Sequence, residues 1–229
     1  IMSSPYQYGG VFGHIHSTNI ACPRICPADE TRMTGIQKRP VEVLDISPPG
    51  PNYGDGSGVS GDIIGDDKHH GGADKAVYAF AREMLDYWSA VHQTATPYPD
   101  GHFGENLTTV GIDWAQAVIG QQIRIGNTLL EVSVPRQPCL TFARWLGIPG
   151  WVKTFAAHGD CGSYFRVMEV GQIRVGDACI FLPAPAHGIT IGDAFRAKMG
   201  NTEAARRVYA AQCLPPHHHR QLERLLKLT

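Results

Sequence analysis

Alternation of apolar and polar positions marks the first part of the chain and returns after residue 106. Residues 9–20 and 39–47 alternate in this way and are rich in β-branched side chains, which predicts two short strands. Residues 106–133 follow the same pattern, with Gly126-Asn127 as the predicted turn of a hairpin. Two closing strands are predicted over residues 164–170 and 177–182. The pattern therefore predicts a body that is mainly β.

Helical periodicity is strongest over residues 76–92, where we predict the longest helix. Asp74 stands in the position of its N-cap. The predicted apolar face consists of Val77, Phe80, Ala81, Met84, Leu85, Trp88 and Val91. Shorter helices are predicted over residues 140–146, 150–158, 192–199, 202–211 and 217–228.

Many short strands separated by turn residues favour a barrel or a sandwich. We therefore expect a mainly β fold with helices, closed into a barrel, over residues 1–186. The composition changes at the PAPAHG segment, and residues 187–229 are expected to form a small all-α appendix of three helices. Roughly 40 residues are too few for an independent core. The appendix should dock on the body or on a second copy of the chain, so a homodimer is one expected arrangement.

Charge and composition exclude several classes of partner. The 229 residues contain 20 Lys and Arg against 21 Asp and Glu, a net charge of -1, which gives no reason to expect nucleic acid or a membrane surface. No apolar run approaches the ~18 residues of a membrane span. The first ten residues lack the features of a secretory signal, and six scattered cysteines do not suggest a dense disulfide framework. We expect a cytoplasmic protein with neither nucleic-acid nor membrane partners.

Two prolines frame the segment Pro135-Arg136-Gln137-Pro138-Cys139 and stiffen its backbone. Cys139 therefore has a nearly fixed direction at the end of a strand. The Arg136 guanidinium, three residues away, would favour the thiolate, and a thiolate is a soft metal ligand. The alternative is that Cys139 packs as a small apolar side chain, as free cysteines commonly do.

A glycine- and histidine-rich segment, KHHGGADK over residues 68–75, comes directly before the predicted long helix. Backbone N–H groups at a helix start, with glycines that permit close approach, suit an anion. Lys68, His69 and His70 would add positive charge, as would Lys75. The pattern of a P-loop is absent. The alternative is an exposed turn with ordinary capping.

Two further residues are candidates. Asn106, in HFGENL, has an amide that both donates and accepts and so suits the edge of a heterocycle, although a structural turn is the alternative. Arg166 interrupts an apolar strand, and such a residue points into a site or pairs with a carboxylate. Cys22 and Cys26 lack a second ligand pair, which argues against a zinc site.

Four segments occur in an order that resembles a known family: DIIGDDKHHGGADKAVYAF, HFGENLTTVG, VSVPRQPCL and CGSYFRVMEVG. Together they resemble the MOSC domain, the C-terminal-like domain of molybdenum cofactor sulfurases. With its helical appendix the chain is similar to the YiiM-type branch of that family over roughly residues 9–225. The resemblance implies a closed, mostly β barrel.

The resemblance also implies a pyranopterin molybdenum cofactor whose metal is bound by Cys139. Carried over to this sequence, it places Lys68, His69 and His70 near the cofactor phosphate or the metal. It places Asn106, Arg136 and Gln137 near the pterin or the metal, and Arg166 facing the same cavity. His69 and His70 suit proton delivery near neutral pH, so the catalytic residues would be Cys139, His69 and His70.

The activity that the resemblance implies is reduction of small N-hydroxylated compounds of the hydroxylamino-purine or amidoxime type, without pyridoxal phosphate. The sequence contains neither a GxGxxG fingerprint nor an iron–sulfur cysteine run, so the electrons are expected from a separate reductase. One alternative is a sulfur carrier with a persulfide on Cys139, or a module that handles the cofactor. Another is a structural or interaction protein in which Cys139 is inert and buried.

Overall fold

Twelve strands and six α-helices occupy residues 4–228 of the computed structural model, the part of the chain that the structure describes. Residues 1–3 and 229, at the outer ends of the two predicted domains, lie outside the described residues. The strands are β1 (Gly10–Ala21), β2 (Arg24–Cys26), β3 (Asp29–Thr34), β4 (Lys38–Val41), β5 (Val43–Ile46), β6 (Val77–Ala81), β7 (Leu107–Val110), β8 (Gln122–Ile125), β9 (Thr128–Pro135), β10 (Ser163–Glu169), β11 (Gly171–Arg174) and β12 (Ala178–Phe181). The helices are α1 (Arg82–Val91), α2 (Leu140–Leu146), α3 (Trp151–His158), α4 (Ile191–Lys198), α5 (Thr202–Ala211) and α6 (Pro216–Leu225).

Seven strands form a closed ring in the order β12, β8, β9, β10, β6, β7 and β1, and β1 pairs back to β12. The β6–β7 pair is parallel and the other pairs of the ring are antiparallel. Closure satisfies the backbone groups that an open sheet would leave at its edges. The predicted mainly β barrel with helices is confirmed.

The hairpin predicted at Gly126-Asn127 is confirmed, because β8 and β9 pair up to Ile125 opposite Thr128. Gly126 has a φ of +58°, a conformation that favours glycine. A Cβ there would also lie 2.4 Å from the Gln172 carbonyl oxygen. This position therefore excludes a side chain on two grounds.

The helix predicted over 76–92 is wrong in its first part, because Val77–Ala81 is strand β6 and the helix begins at Arg82. Strand β6 lies between β10 and β7 and all five of its residues are buried. A strand buried on both faces is apolar at every position, so its sequence lacks the alternation that identifies a strand. Asp74 does not cap a helix, since it lies in a short 3-10 turn over Ala73–Lys75.

Several elements carry no signal strong enough to predict from the sequence. The β2–β3 hairpin consists of largely exposed, polar strands. Strand β11 pairs with β5 in a separate two-stranded sheet beside the barrel.

The helices predicted over 140–146 and 150–158 are confirmed as α2 and α3.

The three C-terminal helices are confirmed as α4, α5 and α6, and they pack on the same hydrophobic core as the barrel. Phe195 of α4 lies edge-on to Phe155 of α3, and Ala205 and Leu222 are buried. Thr190 and Asp193 form a capping box at the start of α4. The appendix thus lies on the barrel, whereas a domain boundary at residue 186 stays a prediction. No helix over residues 4–228 is long and apolar enough to cross a membrane.

Candidate functional site

A pocket of about 620 Å³, including the space at its open mouth, is built from segments that are distant in sequence. They are the β3–β4 region, the loops before β6 and β7, the segment from the end of β9 to the start of α2, and single residues of β6 and β10. The side chains and glycines on its lining are Arg32, Thr34, Gly35, Ile36, Lys38, Ile63, Ile64, Gly65, Asp66, His70, Gly71, Lys75, Tyr78, Phe103, Gly104, Arg136, Cys139, Thr141 and Tyr164.

Cys139 lines this pocket as a half-buried free thiol. Strand β9 ends at Pro135, and Cys139 has extended backbone at the position that precedes α2. Its carbonyl accepts the first helical hydrogen bond, from the Ala143 N–H. The stiff segment therefore turns the chain from strand to helix and leaves the sulfur on the pocket wall. It is not packed away in hydrocarbon.

Among the described residues, Arg136 is a buried cation without a carboxylate partner. The residue is 4% exposed, and its guanidinium carbon lies 3.6 Å from the centre of the Phe142 ring. Its Nη1 is buried and has no hydrogen-bond partner. A buried charge with an unsatisfied donor is costly unless an anion compensates it. The geometry of Arg136 therefore suits an anion in the pocket.

Lys75 is a second cation on the lining for which residues 4–228 supply no carboxylate within ion-pair distance. Its Nζ donates to the His69 carbonyl at 2.8 Å and lies 4.8 Å from the centre of the Tyr53 ring. Burial lowers the pKa of Lys75 to about 8, and the positive charge of Arg136 acts in the same direction. The ammonium form still predominates at pH 7, so the pocket contains two cations that lack counter-ions.

His70 is on the lining, whereas His69 and Lys68 are exposed and are not. Burial lowers the pKa of His70 to about 3, with the charges of Lys75 and Arg136 adding to the effect, so this imidazole is neutral at pH 7. His69 Nδ1 lies 3.0 Å from a carboxylate oxygen of Asp66 at the mouth. Of the two adjacent histidines, His70 lies on the pocket lining and His69 does not.

Asn106 is buried but does not line the pocket. Its Oδ1 accepts from the Tyr78 N–H at 3.2 Å, and its Nδ2 donates to Asp62 at 2.8 Å. Asp62 also pairs with Lys38, which does line the pocket. The amide is thus used within the protein, and its contact with the lining is the hydrogen bond to the backbone of Tyr78. Gln137 is half-buried and is not part of the lining either.

Arg166 also lies outside the lining, since its guanidinium is held by two carboxylates. Its Nε donates to Asp74 at 2.7 Å and its Nη1 donates to Glu131 at 2.6 Å. Of the two roles open to an arginine in an apolar strand, the structure shows pairing with carboxylates.

The structure therefore brings together His70, Arg136 and Cys139 of the residues expected from the sequence. It adds lining residues that no motif indicated, among them Arg32, Lys38, Tyr78 and Tyr164. Lys75 of the KHHGGADK segment, which was expected to add positive charge, also lies on the lining. Within residues 4–228, no three His, Cys, Asp or Glu side chains come together as a metal-binding group.

Comparison with known proteins identifies the family. Residues 66–179 match the family model of the MOSC domain. YflK of Bacillus subtilis (strain 168) is 32% identical over 176 residues, which cover 76% of each chain. A protein named Reductase from Gibberella moniliformis (strain M3125 / FGSC 7600) is 33% identical over 141 residues, 59% of this chain and 24% of that protein. The crystal structure of YiiM from Geobacillus stearothermophilus matches with a TM-score of 0.71 and 25% identity, over 93% of this chain and 99% of that one. This chain therefore belongs to the MOSC-domain family and is a member of its YiiM type.

Proposed function

We propose that the protein binds a molybdenum cofactor in this pocket, with Cys139 as ligand to the metal, and reduces small N-hydroxylated compounds with electrons from a separate reductase. The observation that carries the proposal is the presence, on one lining, of a half-buried free thiol and two cations without counter-ions. MOSC domains are associated with molybdenum cofactor binding in general. A relative of this chain is also named a reductase.

The residues of the pocket fit such a group. A phosphate would compensate Arg136 and Lys75 and would satisfy the orphaned Nη1, since a guanidinium matches phosphate geometry. A cysteine thiolate is the kind of soft ligand that suits a metal of this class, and Cys139 lies on the pocket lining. The rings of Tyr78, Phe103 and Tyr164 supply flat apolar surfaces for a heterocycle.

When bound, the cofactor supplies the two-electron couple that converts an N–OH group and two protons into an N–H group and water. The protein contributes the binding of the anion through Arg136 and Lys75. It also contributes apolar walls that limit the access of bulk water.

Protons must come from groups that titrate near neutral pH. Lys75, with its pKa near 8, holds such a proton inside the pocket. His69 is exposed, and its Nδ1 lies 3.0 Å from a carboxylate oxygen of Asp66. His70 is neutral and acts as a hydrogen-bonding group rather than as a source of protons.

Metal and pterin analysis tests the proposal on protein made in a host that produces the cofactor. Cys139→Ala should lower the molybdenum content at least tenfold, because even outer partners of a metal ligand typically change affinity by about 10–100-fold. Cys22→Ala, which removes a half-buried thiol that is not on the pocket lining, is the matched control and should keep the metal. Full metal content in Cys139→Ala would overturn the proposal. The loaded protein should also reduce a hydroxylamine or an amidoxime with a viologen as artificial donor.

The half-exposed position of Cys139 also favours a second function, transfer of sulfur as a persulfide on this residue. Mass analysis after treatment with a polysulfide, which transfers sulfane sulfur to a thiolate and leaves as the shorter polysulfide, tests it with and without prior thiol blocking. A persulfide on Cys139 in protein that never acquires molybdenum would favour this second function. The inert, buried cysteine of a purely structural protein does not match the observed position.

A further inference from the structure

A chain of polar side chains connects the C-terminal helices to the pocket. The Tyr53 hydroxyl lies 3.0 Å from Nε2 of His218 on α6, a residue that is 2% exposed. On the other side of the ring, His218 Nδ1 contacts the Lys198 ammonium of α4, which also donates to Gln221. None of these four side chains lines the pocket.

The partners of His218 fix the direction of its hydrogen bonds. Burial lowers the pKa of Lys198 to about 7; in its ammonium form Lys198 can only donate, so Nδ1 accepts from it. The ring proton is then on Nε2, from which it is donated to the Tyr53 oxygen. Burial lowers the pKa of His218 to about 2, and the charge of Lys198 adds to this, so the ring is neutral. Lys198 thus selects the tautomer that holds Tyr53.

Tyr53 in turn lies against a lining residue. Its ring centre is 4.8 Å from the Lys75 ammonium, within the range of a cation–π contact. The loop of Tyr53 is also joined to the double-histidine turn, through Gly54 N–H to the His70 carbonyl and Gly72 N–H to the Gly56 carbonyl. A Cβ at Gly72 would lie 2.2 Å from the Asn52 carbonyl oxygen, so this close contact between the two segments requires glycine.

We propose that His218 is a positioning residue of the pocket: by holding Tyr53 it fixes the ring against which the Lys75 ammonium is placed. The C-terminal helices thereby set the affinity of the pocket for an anion. The link to cofactor binding rests on the proposed function above, whereas the placement of Lys75 can be measured on the cofactor-free full chain.

The direct measurement is the NMR signal of the Lys75 CεH₂ group in protein with ¹³C-labelled lysine. The chain has six lysines, and Lys75→Arg assigns the signal. The Tyr53 ring current should displace this signal from the usual lysine position. In His218→Ala the displacement should be largely lost, and in His218→Gln, whose amide can still donate to Tyr53, it should be mostly restored. In parallel, inorganic phosphate should bind about three- to tenfold more weakly to His218→Ala.

The matched control is His219→Ala, which removes the neighbouring ring of α6, one that stacks on Tyr209 and does not contact Tyr53. It should leave the Lys75 signal in place. An unchanged signal in His218→Ala, or an equal change in His219→Ala, would overturn the proposal. If His218→Ala does not fold, Tyr53→Phe keeps the ring and removes the hydroxyl, and an unaltered Lys75 signal there has the same meaning. Absence of molybdenum from the wild-type protein would count against the proposed function alone.

Discussion

Arg136 and Arg166 both interrupt apolar surroundings and both are expected at the site, yet their environments differ in charge. Arg166 is held between Asp74 and Glu131, so its charge is compensated within the protein. Arg136 is more deeply buried, lies on an aromatic ring and has a donor without a partner. A guanidinium paired with carboxylates connects elements of the fold. A buried guanidinium without such a partner is energetically costly until an anionic ligand binds. The partners of a buried cation are therefore better evidence of function than its place in a motif.

The largest effect on ligand binding should come from replacing Arg136. Arg136→Met should lower molybdenum content or phosphate affinity by about 10–100-fold, since a charged hydrogen bond contributes about 1.5–3 kcal/mol. The free energy of unfolding should stay the same or rise by about 1 kcal/mol, because the variant removes a buried charge that has no counter-ion. Metal analysis together with urea denaturation measures both quantities. A large loss of stability would show that Arg136 supports the fold.

Replacing Arg166 should have the opposite result, with a loss of stability and no change in metal content. Arg166→Met leaves the Asp74 and Glu131 carboxylates facing each other across the missing guanidinium, partly shielded from water. We expect a loss of about 1–3 kcal/mol in the free energy of unfolding. The molybdenum content per folded chain should not change. A drop in metal content without a loss of stability would place Arg166 at the site after all.

Asp160, a half-buried acid without a cationic partner among the described residues, tests the same idea with the opposite sign. Burial raises the pKa of Asp160 to about 6, and Asp113 and Glu83 add to this. The folded state therefore holds this proton more tightly than the unfolded state, whose pKa is 3.8. The resulting stability is fully present below about pH 4 and is lost as the pH rises through about 6.

The expected size of this loss is on the order of 1 kcal/mol. Asp160→Asn keeps an acceptor for the Gly162 N–H and should abolish this part of the pH dependence. Unfolding free energies measured from pH 4 to pH 7 for both proteins give the comparison. Identical pH profiles would contradict the assignment to Asp160.

Local sequence patterns predicted a turn and several helices of the fold. Gly126-Asn127 identified the β8–β9 turn, and the periodicity of α4, α5 and α6 located the appendix. The helix prediction over β6 is wrong for a physical reason. A strand buried on both sides is apolar at every position, and such a short apolar run resembles the apolar face of a helix. The β2–β3 hairpin was missed because its exposed strands carry no apolar pattern.

The site could be predicted only where its residues are adjacent in sequence. Arg136 and Cys139 share one stiff segment, and His70 belongs to a conspicuous turn. Arg32, Tyr164 and the Tyr53–His218 contact depend on how distant segments meet, which no local pattern records. Asn106 and Arg166 were expected at the site but lie outside the lining. Their partners Asp62, Asp74 and Glu131 are distant in sequence, so no local pattern identifies them.

The pairing of β1 with β12 has a consequence for folding. The first strand of the ring has to wait for Phe181, near the end of the chain, before its outer edge is covered. Since a contact between such distant residues forms late, the ring is expected to close after its neighbouring strands have paired.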